Sequence, residues 1–185
     1  MAYRNGTYVA FHADSNNIPG GKSDIDYYNL ICAWNANKHH GFKIVNSHEK
    51  TNAVRDSSKK ETLRASLLER LRNSKNMLLI LGETTKFDTD WVPFEIAQAV
   101  DSYQIPIVVA YTGVSSKIWV PSAFSRCWPA ALATRINNGT ASAIHVPFKQ
   151  APIFDAVEGF SHEKLPKGGG LGIYANSAYE GWGIG

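Results

Sequence analysis

The sequence predicts an α/β fold in which helices cover both faces of a five-stranded parallel sheet, and three observations lead there. Short apolar, β-branched runs alternate along the chain with segments of helical period, the order that strand–helix–strand crossovers require. The third run, Asn76-Met77-Leu78-Leu79-Ile80-Leu81-Gly82, is nearly all apolar rather than alternating, as a strand covered on both faces must be. A chain of 185 residues, 44% hydrophobic and 19% charged, suits one globular domain with its own core.

The elements follow in order. Strand one is Thr7-Tyr8-Val9-Ala10-Phe11-His12 after the turn signal Asn5-Gly6, and a polar loop with Pro19-Gly20-Gly21 leads to a helix from about Asp24. That helix places Ile25, Tyr28, Ile31 and Cys32 on one face. Strand two is the short Phe42-Lys43-Ile44-Val45-Asn46. A polar loop from Ser47 to Ser57 precedes a helix that opens with the capping box Ser58-Lys59-Lys60-Glu61 and spaces Leu63, Leu67, Leu68 and Leu71 for burial. After strand three and the loop Glu83 to Asp90 comes the helix Trp91 to Val100, with Asp90 as its cap and Pro93 in the first turn, where no intrahelical amide donor is needed. Strand four is Ile105 to Tyr111, a helix is expected over Ser122 to Ile136, and Ala143 to Phe148 reads as an edge strand because Pro147 cannot donate to a ladder. A short helix around Ile153 to Glu158 closes an α/β domain assigned to residues 1–158. In the remainder, 159–185, glycines punctuate isolated aromatics and leave no periodic apolar face, so this tail is expected to be flexible or to be ordered only by a partner.

Composition narrows the function classes. The formal net charge is only +3, with acids and bases intermingled, so no basic stripe is present to neutralise nucleic-acid phosphates. No run approaches the roughly 18 apolar residues of a membrane span, and the N-terminus turns polar before a signal-peptide core could form, which points to a cytoplasmic protein. Cys32 and Cys127 lack metal or redox spacing and read as buried thiols. His39-His40, His145 and His162 have no partners at ligand spacing, so surface or packing roles are expected and no metal. The Asn5 and Asn138 sequons read as turns.

In an open parallel sheet of order 2-1-3-4-5, ligands enter beyond the carboxyl ends of the strands where the order reverses, between strands one and three. His12-Ala13-Asp14-Ser15 leaves one of those ends and Glu83-Thr84-Thr85 the other, with Ser47-His48-Glu49 joining from strand two. Glu95 lies four residues after Trp91, so an aromatic plane and a carboxylate share one helix face near this crevice. A carboxylate beside an aromatic plane suits cleavage of an N-glycosidic bond to a cationic leaving group such as nicotinamide, which needs little acid catalysis but does need negative charge beside the developing oxocarbenium ion. On spacing alone a solvated glutamate at a helix start is the more ordinary reading of Glu95, and a core residue that of Trp91.

Leu78-Leu79-Ile80-Leu81-Gly82 followed by Trp91-Val92-Pro93-Phe94-Glu95-Ile96 resembles the third strand and WxxxE helix of TIR domains, and Phe11-His12-Ala13-Asp14 resembles the end of their first strand. The succession FHxD, DYYNLICAW, SHEK, RDSS, LLILG, WVPFEI and HVPF is similar, more narrowly, to the TIR-like subunit of the bacterial Thoeris anti-phage system, over about residues 7 to 150. The resemblance implies a flavodoxin-like fold and cleavage of NAD⁺ as substrate, without a resident cofactor, with Glu95 catalytic. It also implies a cyclic or conjugated ADP-ribose signal that diffuses to a separate effector protein, and a homo-oligomer. The insertion at Pro19-Gly20-Gly21 and the Gly-rich tail depart from the family pattern.

On this basis Phe11, His12, Asp14, Ser47, Arg55 and Trp91 are the expected substrate-binding residues. Asp14 could instead close an Asx turn, and Ser47, His48, Arg55 and Ser57 could be a solvated loop; Arg55 is the one suited to bidentate phosphate contact. Two other functions fit the same pattern. One is a nucleoside deoxyribosyltransferase-like enzyme with a glutamate nucleophile, the other a non-catalytic TIR scaffold that self-associates through the loop from Ser47 to Ser57.

Overall fold

A computed structural model describes residues 4–12, 24–36, 42–45 and 57–185. Strands β1 (Gly6–Ala10), β2 (Lys43–Val45), β3 (Ser74–Leu81), β4 (Ile107–Tyr111) and β5 (Ala143–Pro147) form one sheet, parallel at every junction, in the order β2-β1-β3-β4-β5. This is the predicted flavodoxin-like arrangement. Helices α1 (Asp24–Ala36) and α5 (Gln150–Gly159) pack on one face, and α2 (Ser57–Arg72), α3 (Trp91–Ala97) and α4 (Ala130–Asn137) on the other. Residue alternation divides the core in two. Tyr8, Ala10, Met77, Leu79, Leu81, Val109 and Tyr111 meet α2, α3 and α4, whereas Val9, Phe11, Leu78, Ile80, Val108 and Ala110 meet α1 and α5. β3 is central, which explains its unbroken apolar run.

Two expectations need correction. The helix expected over Ser122 to Ile136 is divided: a 3₁₀ segment, Pro121–Cys127, stops at extended Trp128, and α4 begins at Ala130. Pro129 is the cause, since it has no amide to donate and forces its predecessor out of helical geometry. Cys32 and Cys127 are free thiols but half-buried rather than buried.

The tail is the larger correction, because residues 160–185 pack against the sheet they follow. Gly172 N–H donates to Ala143 O and the His145 amide donates to Gly172 O, each at 3.0 Å, so the tail lengthens the sheet beyond β5. A side chain at Gly172 would place its Cβ 2.5 Å from Ala143 O, so only glycine fits there. Further along, α6 (Asn176–Gly181) buries Tyr179, whose hydroxyl accepts the Ile118 amide at 3.2 Å and whose ring meets Trp119 and Trp182 edge-on.

His145 anchors the tail. Trp128 Nε1–H donates to Tyr111 Oη at 2.8 Å, the Tyr111 hydroxyl donates to His145 Nδ1 at 2.8 Å, and His145 Nε2–H donates to Gly170 O at 2.9 Å. A carbonyl only accepts and an indole only donates, which fixes the neutral Nε2–H tautomer. Burial pushes the imidazole down from 6.5 to about 4, and the bond to Gly170 opposes this only in part. The folded chain thus binds a proton less readily than the unfolded chain. The contribution of His145 to stability is complete above pH 6.5 and fades as pH falls toward 4, by about 3 kcal/mol at its limit. His145→Gln is therefore expected to be less stable than wild type at pH 7.5 in urea unfolding, with the gap narrowing steadily to pH 4.5; a gap that does not change with pH would contradict this role.

Candidate active site

The site grows from the contact between β1 and the start of α3. Residues at alternate positions of β1 face opposite sides, so Tyr8 looks toward α3 while Phe11 looks away and stacks on Tyr28 with ring centroids 4.9 Å apart. Beyond the strand, His12 reaches the loop after β3, where its Nδ1 donates to Asp88 Oδ2 at 3.1 Å. That loop is held by Thr85, whose hydroxyl accepts the Gly82 amide at 2.8 Å and donates to Asp24 Oδ2 at 2.9 Å, tying the start of α1 to the tip of β3. A Cβ at Gly82 would lie 2.7 Å from Asp24 Oδ1, so a larger residue there would push that carboxylate aside.

Asp88 caps α3. Its Oδ1 accepts the amides of Asp90 at 3.0 Å and Trp91 at 2.9 Å, satisfying donors that the first helical turn leaves unpaired. Asp90, the expected cap, makes no side-chain cap bond and instead pairs with Lys60 at 2.6 Å and Arg64 at 3.7 Å on α2. Burial raises the Asp88 carboxyl, but His12 and the two amides outweigh it and leave the group below the usual carboxylate range. Pro93 sits in the first turn, as the sequence implies.

One turn into α3, Glu95 points at the sheet. Its neighbours Val92 and Ile96 are 0% exposed, and so is Glu95 itself, a burial that carboxylates almost never reach without partners. The Tyr8 hydroxyl donates to Glu95 Oε1 at 2.5 Å, within the range of a charge-assisted bond. Burial first, then the charge and hydrogen bond of Glu95, hold the Tyr8 hydroxyl well above its ordinary value, while Arg70 opposes them, so the phenol keeps its proton and acts as a donor. Trp91 is half-buried at the edge of the core with the Lys60 ammonium 5.6 Å from its ring centroid, and Arg64 lies 5.3 Å from the ring of Phe94. α2 thus covers the outer side of α3 with cations.

A cleft of ≈ 370 Å³ opens at the tips of β3 and β4. Thr84, Thr112, Phe124 and Arg126 line it, along with Asp24 and Tyr27 of α1. Glu95 is not among its lining residues.

The structure therefore gathers Glu95, His12 and Trp91 around the start of α3 and places Phe11 on the opposite face. Asp14, Ser47 and Arg55 lie outside the described residues, as do His48 and the Pro19-Gly20-Gly21 insertion. The expectations passed over Tyr8 and Asp88. Asp88 carries a usable signal, an aspartate three residues before the first helical tryptophan, but Tyr8 carries none, since a tyrosine in a buried strand reads as packing.

A family model described as Thoeris protein ThsB, TIR-like domain, matches residues 8–117. The chain belongs to that family. The match runs from Tyr8 through Glu95 and on past β4, and so takes in both partners of the buried hydrogen bond. A TIR-like domain of Thoeris is a component of anti-phage defence. The divided α4 segment, β5, α5 and the tail fall outside the matched span. Among the described residues no helix is long and apolar enough to cross a membrane.

Asp88→Ala leaves two helix-start amides and His12 without their acceptor, and is expected to destabilise the domain by ~1–2 kcal/mol in chemical denaturation. The same change made at Asp90, whose partners are half-exposed lysine and arginine, should cost less than about 1 kcal/mol.

Proposed function

We propose that this TIR-like domain cleaves the nicotinamide–ribose bond of NAD⁺, with Glu95 as the carboxylate of the reaction. The observation that carries this reading is a glutamate held at the seam between α3 and β1 with no exposure to solvent and a 2.5 Å hydrogen bond from Tyr8. A negative charge kept in a dry site is costly to a fold and strong in its field, which suits a group that must meet a cation.

In the proposed reaction the C1′–N bond breaks heterolytically and its electron pair goes to the pyridinium nitrogen, so that nicotinamide leaves neutral. The ribose becomes an oxocarbenium ion, which Glu95 stabilises while accepting hydrogen bonds from the ribose hydroxyls. Water, or a second nucleophile from the adenine or another molecule, then adds to C1′ and gives up its proton. The product is ADP-ribose, a cyclic isomer or a conjugate, and a derivative of this kind serves as a diffusible signal to an effector protein. Arg126, exposed in the cleft at the tips of β3 and β4 and in no ion pair among the described residues, is suited to the dinucleotide phosphates. His12, fixed by Asp88, borders the ribose. The reading also has the protein work as a homo-oligomer.

The burial of Glu95 favours a second reading, a TIR scaffold that works by self-association without turnover. One assay separates the two. Glu95→Gln replaces an oxygen by an amide of similar size, so the fold should persist while nicotinamide release, measured by chromatography from protein of infected cells, falls by a factor on the order of 10² to 10³. Wild-type release by the variant would contradict the assignment, and absence of release from the wild-type assembly would favour the scaffold.

A further inference from the structure

A carboxylate removed from water reverts to the neutral acid unless something favours its charge. A neutral Glu95 could not steady a cation. The Tyr8 hydroxyl supplies what is needed, because donation to the charged form stabilises that form. The location of the two partners matters as much as the bond. Tyr8 lies inside β1, which is paired with β2 on one side and β3 on the other, and Glu95 lies between Val92 and Ile96 in the core. Neither belongs to a loop. Both partners sit on packed secondary structure, β1 within the sheet and the inner face of α3.

We propose that Tyr8 is a positioning residue, which keeps Glu95 ionised and aims its carboxylate from β1 throughout the working cycle. The proposal rests on Glu95 being the reacting carboxylate. Among the described residues, His12 pairs with Asp88, Lys60 and Arg64 with Asp90, and Arg135 with Asp101 beyond the end of α3. Arg70 of α2 acts on Tyr8 through its field. Met77, Leu79 and Leu81 of β3 lie in the same core layer as Tyr8. Tyr8 donates directly to Glu95 Oε1, so its removal should change the proton affinity of Glu95.

The test is the titration of the Glu95 carboxyl carbon by NMR in protein labelled with ¹³C-glutamate, with Glu95→Gln to assign the signal. Tyr8→Phe keeps the ring and deletes one oxygen. Its Glu95 midpoint is expected to rise by about one pH unit or more, and the acid limb of nicotinamide release should rise with it, about tenfold in rate per unit at acid pH with recovery at alkaline pH. A merely structural tyrosine would lower activity equally at all pH. An unchanged midpoint overturns the proposal, as does faster turnover at every pH, which would make the bond a restraint. Should Tyr8→Phe fail to fold, fluorotyrosine at position 8 keeps the shape and strengthens the donor, and the midpoint should then fall; no movement again overturns the role. If Glu95→Gln still releases nicotinamide, the reaction proposed for Glu95 fails, yet the carboxyl titration still decides whether Tyr8 keeps the group charged.

Discussion

The architecture turns on a carboxyl group kept out of water. A buried glutamate must be matched by donors from a part of the chain that cannot shift, and here the donor comes from β1, 87 residues earlier in sequence. That requirement fixes the register of α3 on the sheet. If α3 rotated by a fraction of a turn, Glu95 would lose Tyr8 and face leucines of the core. Asp88 works to the same end from outside, since its two amide bonds fix where α3 starts and its contact with His12 fixes where β1 ends. Several elements thus agree on one placement of one carboxyl group. The agreement is what makes the position look functional, because packing alone would be better served by an apolar residue there.

Much of this was legible in the sequence. Each strand–helix unit announces itself through period, and the unbroken apolar run of β3 placed it at the centre of the sheet. Glu95 stood out because of its spacing from Trp91, although spacing could not say that the two would part: Trp91 stays at the edge beneath Lys60 while Glu95 turns to the sheet. The contact between Tyr8 and Glu95 was beyond reach. It depends on which face of β1 looks toward α3, and a tyrosine in an apolar strand has the same signature whether its hydroxyl is buried with a partner or reaches water. Phe11, read as a site residue from its place beside His12 and Asp14, is sent by alternation to the other core layer from Glu95.

The tail was misread for a physical reason. Its order does not come from an amphipathic period but from backbone pairing at Gly172, edge-on aromatic contacts around Tyr179 and Trp182, and a carbonyl offered to His145. A glycine that is needed because a backbone approaches closely looks, in sequence, like a glycine that gives slack. The consequence for the fold is protection of β5, whose outer edge would otherwise present unpaired amide groups.

The central claim is that Glu95 meets the ribose of a dinucleotide while still bonded to Tyr8. A crystal structure with a non-cleavable carbocyclic NAD⁺ analogue tests it most directly. The account predicts both ring hydroxyls within hydrogen-bonding distance of the Glu95 carboxylate, with the Tyr8 contact retained. An analogue bound elsewhere, with that carboxylate still sealed in the core, would contradict it.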